Sequence, residues 1–377
     1  MTWTSRSCRL KEAIDHGRFV FIRFRKEDNL NDTPFTPEIR DAQGPNAEAA
    51  ETAAARVAAQ EIYVFNGDAD GLCALQQLRL DEGAGTSLVT GVKRDIQLLS
   101  RVSAGPGCRV TVLDVSHDRN RGDVARILAA GAALRYFDHH FAGELPNHPR
   151  FHAYIDTAPD VCTSVLVDRY LHGRHAGWAV VAAFGDALPD VGRALARQHG
   201  IASGATESLA QLGRCLNYNA YGEDLGDLYF SPHALADAML PYADPLDFIA
   251  RTDVLPVLAD GYRDDLLRAR SIEPAFDVPG ATMLVLPAEK WARRVSGVLA
   301  NELMADGSAR ALAVLSPRRD GGYVVSVRVP AGSAVGADDF CRLFDTGGGR
   351  KLAAGIDRLP DADVDQFAAR LRATFAR

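Results

Sequence analysis

The chain has 377 residues, more than one small core needs, which points to two or three domains. Hydrophobic residues make up 47% and charged residues 24%, with a formal net charge of -7 and a pI near 5.8. This is an ordinary globular composition, and it argues against a chain that coats long nucleic acid through bulk positive charge. Cys8, Cys73, Cys108, Cys162, Cys215 and Cys341 are scattered with no Cys-x-x-Cys pair, so neither a thiolate zinc site nor a disulfide framework is expected. The longest apolar stretch, around 178–184, is far shorter than a bilayer span, and the first residues form no apolar leader. The expectation is a cytoplasmic protein with no membrane partner.

Residues 1–60 say least. Phe19 to Phe24 has the makings of a strand, Asp28 to Pro45 reads as a loop, and Asn46 to Gln60, rich in Ala and Glu, reads as a helix. From Glu61 the pattern sharpens. The apolar run Ile62 to Asn66 leads into the polar turn Gly67-Asp68-Ala69-Asp70-Gly71, and Leu72 to Leu80 has helical spacing. Val110 to Asp114 is a second strand ending in Asp, followed by a helix over Val124 to Ala130. Ala133 to Phe137 is a third strand that runs straight into Asp138-His139-His140. Strands alternating with helices predict a parallel sheet in an α/β domain, whose ligands sit beyond the carboxyl ends of the strands.

Helical patterns dominate from Thr163 to about Ile272, broken at Gly185-Asp186, Pro232 and Pro245. A second α/β segment begins near Ala281. Its strands are expected at Met283 to Leu286, Ala311 to Leu315 and Tyr323 to Val329, and its helices at Arg293 to Met304 and Asp363 to Phe375. The expected division is an extension over 1–60, a domain over 61–272 and a smaller domain over 280–377, with the boundary marked by Pro274 and Pro279.

The strand-end residues make a chemical set. Asp68, Asp70, Asp114 and Asp138 offer carboxylates, His139 and His140 imidazoles, and Asp186 follows the apolar run Val180 to Phe184. Carboxylates with one or two imidazoles suit divalent ions such as Mn²⁺ or Mg²⁺, which can act on phosphate esters.

In this order, Asp68-Ala69-Asp70-Gly71, Val112-Leu113-Asp114, Asp138-His139-His140 and Gly185-Asp186 resemble the DHH phosphoesterase superfamily. That superfamily includes single-strand exonucleases, oligoribonucleases, cyclic-dinucleotide phosphodiesterases and manganese-dependent pyrophosphatases. Gly347-Gly348-Gly349-Arg350-Lys351-Leu352-Ala353-Ala354-Gly355 resembles the signature of its associated substrate-binding domain. The resemblance covers about Glu61 to Leu359. It implies one metal held by Asp70, Asp114, His139 and Asp186, and another held by Asp68 and Asp114. It also implies that His140 orients its neighbour or meets substrate phosphate, while Asp138 fixes an imidazole tautomer. The substrate implied is an oligonucleotide or nucleotide, met by Arg328, Gly347, Gly348, Gly349, Arg350 and Lys351.

The chain departs from the pattern twice. Val64 stands where the family usually has a histidine, so one metal site is complete and the other lacks a ligand, which Asn66 could replace through its amide oxygen. Arg350 stands where the glycine-rich motif usually has histidine, and a guanidinium can grip phosphate through a bidentate fork. Residues 289–351 hold ten Lys/Arg against seven Asp/Glu, a net +3 in an acidic chain, and the three glycines would leave backbone N–H groups to cradle an anion.

Plainer readings stand beside these. The Asp-Ala-Asp-Gly turn could be a helix cap, His117 and Asp118 a helix start rather than ligands, and Tyr218 and Tyr221 core residues rather than base-stacking platforms. Cys162-Thr163-Ser164 reads as a helix N-terminus facing the metals, not a nucleophile, and Arg293 and Arg294 as a solvated helix face. Asp186 is preferred to Asp190. The expected activity is metal-dependent hydrolysis of phosphodiester bonds in short or single-stranded nucleic acid or nucleotides. The alternatives are a phosphomonoesterase or pyrophosphatase on small phosphates, and a non-catalytic nucleotide-binding protein with an incomplete metal site. The sequence leaves open whether the chain forms a homodimer.

Overall fold

The computed structural model describes residues 60–85, 87–305 and 310–376. The strand, loop and helix expected in the first 59 residues lie outside them, and Gln60 already belongs to the first strand. The fold is α/β, with a five-stranded parallel sheet and a second, six-stranded mixed sheet.

The first sheet contains β1 (Gln60–Asn66), β2 (Ser87–Gly91), β3 (Cys108–Leu113), β4 (Ala133–Asp138) and β5 (Phe151–Ile155), in the order β2-β1-β3-β4-β5. All four pairings are parallel, so both faces must be covered and the central strands read as continuous apolar runs. Strand alternation divides β1 between two cores. Tyr63 and Phe65 join the cluster under α1 (Ala69–Glu82), α3 (Thr163–Tyr170) and α4 (Ala176–Gly185). Ile62 and Val64 join Val110, Val112, Leu134 and Tyr136 on the other face, against α2 (His117–Ala129).

Helices α5 (Pro189–Gln198), α6 (Ser203–Asn219), α7 (Pro232–Met239), α8 (Pro245–Arg251) and α9 (Val254–Arg270) follow. Pro232 and Pro245 are the first residues of α7 and α8, capped by Ser231 and Asp244, as suits a residue without an N–H. No helix among the described residues is long and apolar enough to cross a membrane. The five cysteines among the described residues form no disulfide.

The second sheet contains β6 (Phe276–Val278), β7 (Ala281–Val285), β8 (Ala311–Pro317), β9 (Tyr323–Arg328), β10 (Gly347–Arg350) and β11 (Ala353–Leu359), in the order β10-β11-β9-β8-β7-β6. It packs against α10 (Lys290–Ala305), α11 (Ala337–Cys341) and α12 (Val364–Phe375) around its own apolar clusters. Strand β6 lies between Pro274 and Pro279, the expected domain boundary.

The glycine run forms the strand β10, antiparallel to β11 with Gly347 opposite Ile356 and Arg350 opposite Ala353. Glycine is needed there: Gly349 has φ +142°, and a Cβ on it would lie 2.5 Å from Ala354 Cα. Arg293 and Arg294 are not a solvated face. Arg293 pairs with Asp227 at 2.8 Å and Arg294 with Asp265 at 2.8 Å, all four largely buried. Arg319, in the turn between β8 and β9, completes a clasp by reaching Asp224 and, at 2.6 Å, Asp227. Arg318 is taken by Asp320 in the same turn. Much of the local excess of positive charge is therefore spent on ion pairs and is not gathered at an open binding surface.

Candidate metal centre

The carboxyl ends of β1, β3 and β4 deliver their acids to one place. After β1 the chain turns into α1, and Asp68 caps that helix, its Oδ1 accepting from Asp70 N at 3.0 Å and Gly71 N at 3.1 Å. The turn tolerates only glycine at 71, because a Cβ there would meet Asn66 O at 2.1 Å. Asp114 ends β3 in the left-handed region, φ +56°, a conformation a non-glycine residue adopts at a cost. Asp138 ends β4, fully buried. Asp186 follows α4 as its C-cap rather than ending a strand. Asp190 is fully exposed at the start of α5.

Four of these side chains converge. His139 Nε2 lies 3.4 Å from Asp114 Oδ1, 3.9 Å from Asp186 Oδ2 and 4.0 Å from Asp70 Oδ2. Ligand atoms about 2.1 Å from one ion lie roughly 3.0–3.4 Å from each other, so the cluster needs to close by about half an ångström to grip a divalent ion. The two candidate ligand groups among the described residues are Asp114, His139 and His140, and Asp70, His139 and Asp186.

The surroundings fix these side chains. His139 Nδ1 is 2.9 Å from Val161 O, which takes its N–H and leaves Nε2 as the lone-pair face. The first amides of α3 hold Asp70: Thr163 N donates to Oδ2 and Ser164 N to Oδ1, both at 2.7 Å. Thr163 Oγ1 donates to Asp114 Oδ1 at 3.3 Å. Asp138 Oδ1 is 2.7 Å from His140 Nδ1, so it bears on His140 rather than on His139. Cys162 is buried, and burial together with the charge of Asp70 holds its thiol well above its ordinary range, which removes it as a nucleophile.

The electrostatics of the cluster call for a cation. Burial first, then the charges of Asp68 and Asp70, push Asp114 well above the usual carboxylate range. Asp186 is pushed up to about 6 by burial and by Asp70. Burial opposes a charge on His139, but the contact with Asp114 and the charges of Asp70, Asp114 and Asp186 outweigh it and raise the imidazole to about 10. A surplus of buried carboxylate around one imidazole is the donor set that a hard divalent ion fits.

The opposite side of the site differs. Asp68 Oδ2 is paired with Lys93 Nζ, which also donates to Asn217 Oδ1 at 2.9 Å and lies 5.7 Å from the centre of the Tyr221 ring. Burial works to raise Asp68, yet Lys93 lowers it below the usual range. Asn66 lines the cavity with its Oδ1 buried and unpartnered among the described residues, and its Nδ2 donates to Lys93 O at 3.4 Å. Val64 lies in the core with no exposure. Lys93 is not among the residues expected from the sequence. The signal available was a lysine two residues beyond the end of β2, as Asp68 stands two residues beyond the end of β1.

These side chains line a cavity of about 700 Å³, with Asp118 and Arg119 on one wall, Phe141 at 75% exposure, and Arg350 approaching from the second sheet. A second cleft of about 330 Å³, lined by Arg94, Arg293 and Arg318, shares Asp95 with it. Arg350 is the one member of the expected substrate-binding group on the cavity wall. Arg328 donates to Asn301 Oδ1 at 2.9 Å and to Val327 O at 3.0 Å. Gly347 and Gly348 are half-buried in β10, Gly349 is exposed, and Lys351 follows the strand, exposed. His117 is buried with Nδ1 2.6 Å from Ala142 O and its ring edge-on to Tyr136, so it packs in the core. Tyr218 is likewise core, its hydroxyl bonded to Asp265.

No family model and no curated protein matches the sequence. Solved structures do. The chain is similar to exonuclease RecJ bound to manganese, at 19% identity over 86% of this chain and 92% of that one, with a TM-score of 0.52. It is similar to the DHH domain of a member of the S1p family of ribosomal proteins, at 12% identity over 84% and 87%, with a TM-score of 0.60. It also matches RecJ from Thermus thermophilus in complex with Mn²⁺, at 18% identity and a TM-score of 0.50, over 86% of this chain but only 53% of that one. Together with the parallel sheet, these likenesses show that the chain shares the fold of RecJ and of that DHH domain.

Proposed function

We propose that the chain is a metal-dependent phosphodiesterase acting on short or single-stranded nucleic acid or on nucleotides. The observation that carries the reading is the convergence of Asp70, Asp114 and Asp186 on His139 Nε2, inside a cavity that also bears arginines. Asp70, Asp114, His139 and Asp186 would hold Mn²⁺ or Mg²⁺. The bound ion would supply positive charge and Lewis acidity at the phosphoryl group. RecJ, one of the proteins of similar fold, was solved with manganese.

The chain's own residues have distinct tasks in this reading. The α3 amides and the Val161 carbonyl keep Asp70 and His139 in place, so no ligand has to reorganise when substrate enters. His140, gripped at Nδ1 by Asp138, donates from Nε2 to a phosphoryl oxygen. Arg350 and Arg119 make no ion pair among the described residues, and they bind phosphate on the cavity walls. Phe141 offers an exposed ring beside His140 on which a nucleobase can stack. A bare pyrophosphate has no use for that ring, which favours a nucleotide-bearing substrate over small inorganic phosphates.

The test is a panel of single-stranded DNA, RNA, dinucleotides, mononucleotides and pyrophosphate with Mn²⁺, with wild type, His139→Ala and Asp114→Ala side by side. Cleavage of an oligonucleotide or dinucleotide by wild type and its loss in both variants is expected. Pyrophosphate as the preferred substrate would shift the reading to small phosphates. No cleavage of any phosphodiester would remove it.

A further inference from the structure

Asp68 and Lys93 form a built-in ion pair at the edge of the metal cluster. Lys93 follows β2, and its backbone N–H donates to Ala220 O at 3.0 Å, just beyond the end of α6. Its side chain is 25% exposed while that of Asp68 is 3% exposed. The ammonium has two acceptors, Asp68 Oδ2 and Asn217 Oδ1, and a third N–H beside the cavity it lines. A carboxylate has about four lone-pair positions. Three of those on Asp68 are used, two by the amides of Asp70 and Gly71 and one by a full positive charge. Asp70 differs, because its hydrogen-bond partners are all neutral: the amides of Thr163 and Ser164 and the thiol of Cys162.

A second divalent ion beside Asp68 would have to expel Lys93 or sit against it as a like charge. The nearby donors give little to offset that, because Asp114, the carboxylate beside Asp68, is already shared with the His139 cluster. Val64 carries no donor atom and is sealed in the core, and Asn66 offers one neutral amide oxygen. We infer that Lys93 replaces a second metal ion: the site holds one divalent ion, and the Lys93 ammonium is its resident second positive charge. This inference rests on the phosphoesterase reading for its chemistry. In it, the third N–H of Lys93 would donate to a phosphoryl oxygen of the bound substrate, so Lys93 is a catalytic residue.

The experiment counts Mn²⁺ on the full chain by calorimetry and elemental analysis, with electron paramagnetic resonance to detect a coupled pair. Turnover is measured in parallel for wild type, Lys93→Ala and Lys93→Arg. One Mn²⁺ per chain without a coupled signal is expected. Lys93→Ala should keep that ion with affinity within roughly fivefold and lose about a hundredfold or more in turnover, part of which Lys93→Arg restores. Two ions per wild-type chain, or Lys93→Ala turning over within threefold of wild type, would overturn the inference while leaving the phosphodiesterase reading intact. One ion with no phosphodiester cleavage would sink that reading and leave the one-ion assignment standing, because the count on wild type depends on no variant. No bound ion would sink both.

Discussion

Asp68 and Asp70 lie two residues apart on one turn, both almost fully buried, and they have opposite surroundings. Asp70 faces the neutral amides that start α3 and stands with Asp114 and Asp186 around the single imidazole of His139. Asp68 caps α1 with one oxygen and neutralises Lys93 with the other. The residue type is the same, and what decides its fate is which distant element packs against it. An acidic turn can therefore have one carboxylate held by neutral donors and the other paired with a cation.

Substitutions on each side of the turn can break this contrast. The largest effect is expected at the centre of the cluster. His139→Ala should lower turnover by about three orders of magnitude or more and abolish micromolar Mn²⁺ binding, read by steady-state rates and calorimetry. Next comes the paired test of the turn. Asp70→Asn should weaken Mn²⁺ binding by about a hundredfold, whereas Asp68→Asn should change it by less than about tenfold. Equal losses from the two would erase the distinction between them.

Chelation should come third. An ion at about a hundred times its dissociation constant stabilises the fold by roughly 2.7 kcal/mol, so stripping it should lower Tm by several degrees in a thermal melt. Gly71→Ala tests the turn that holds both acids. The clash with Asn66 O should cost about 1–3 kcal/mol and reduce Tm without a ligand being touched. The smallest effect is expected across the cavity: Arg350→Ala should raise KM by about tenfold with the metal count unchanged.

The parts of this arrangement legible in the sequence are those encoded locally. The run Ile62, Tyr63, Val64 and Phe65 marks a strand buried on both faces, and the acids after it mark the functional end of the sheet. Strands β2 and β5 are not legible, because Ser87–Gly91 and Phe151–Ile155 are short, lie at the sheet edges and are only partly buried. The role of Lys93 is hidden because Asp68 is 25 positions away and Asn217 is 124 positions away. Glycine-rich β10 is not marked as a strand in the sequence because its pairing with β11 is made by backbone, which leaves no side-chain pattern to follow. The partners of Arg293, Arg294 and Arg319 are Asp227 and Asp265, too distant in sequence for the pairing to show.

The clasp around Asp227 makes the molecule sensitive to its ionic medium in stages. The outer link, between Arg319 and Asp224, is about half exposed on both sides, whereas Asp227 is fully sealed and Arg293 nearly so. Dissolved salt screens exposed charges and barely reaches buried ones. Rising ionic strength therefore weakens the link between Arg319 and Asp224 first and leaves the pairs to Asp227 in place, a graded loosening rather than a single release.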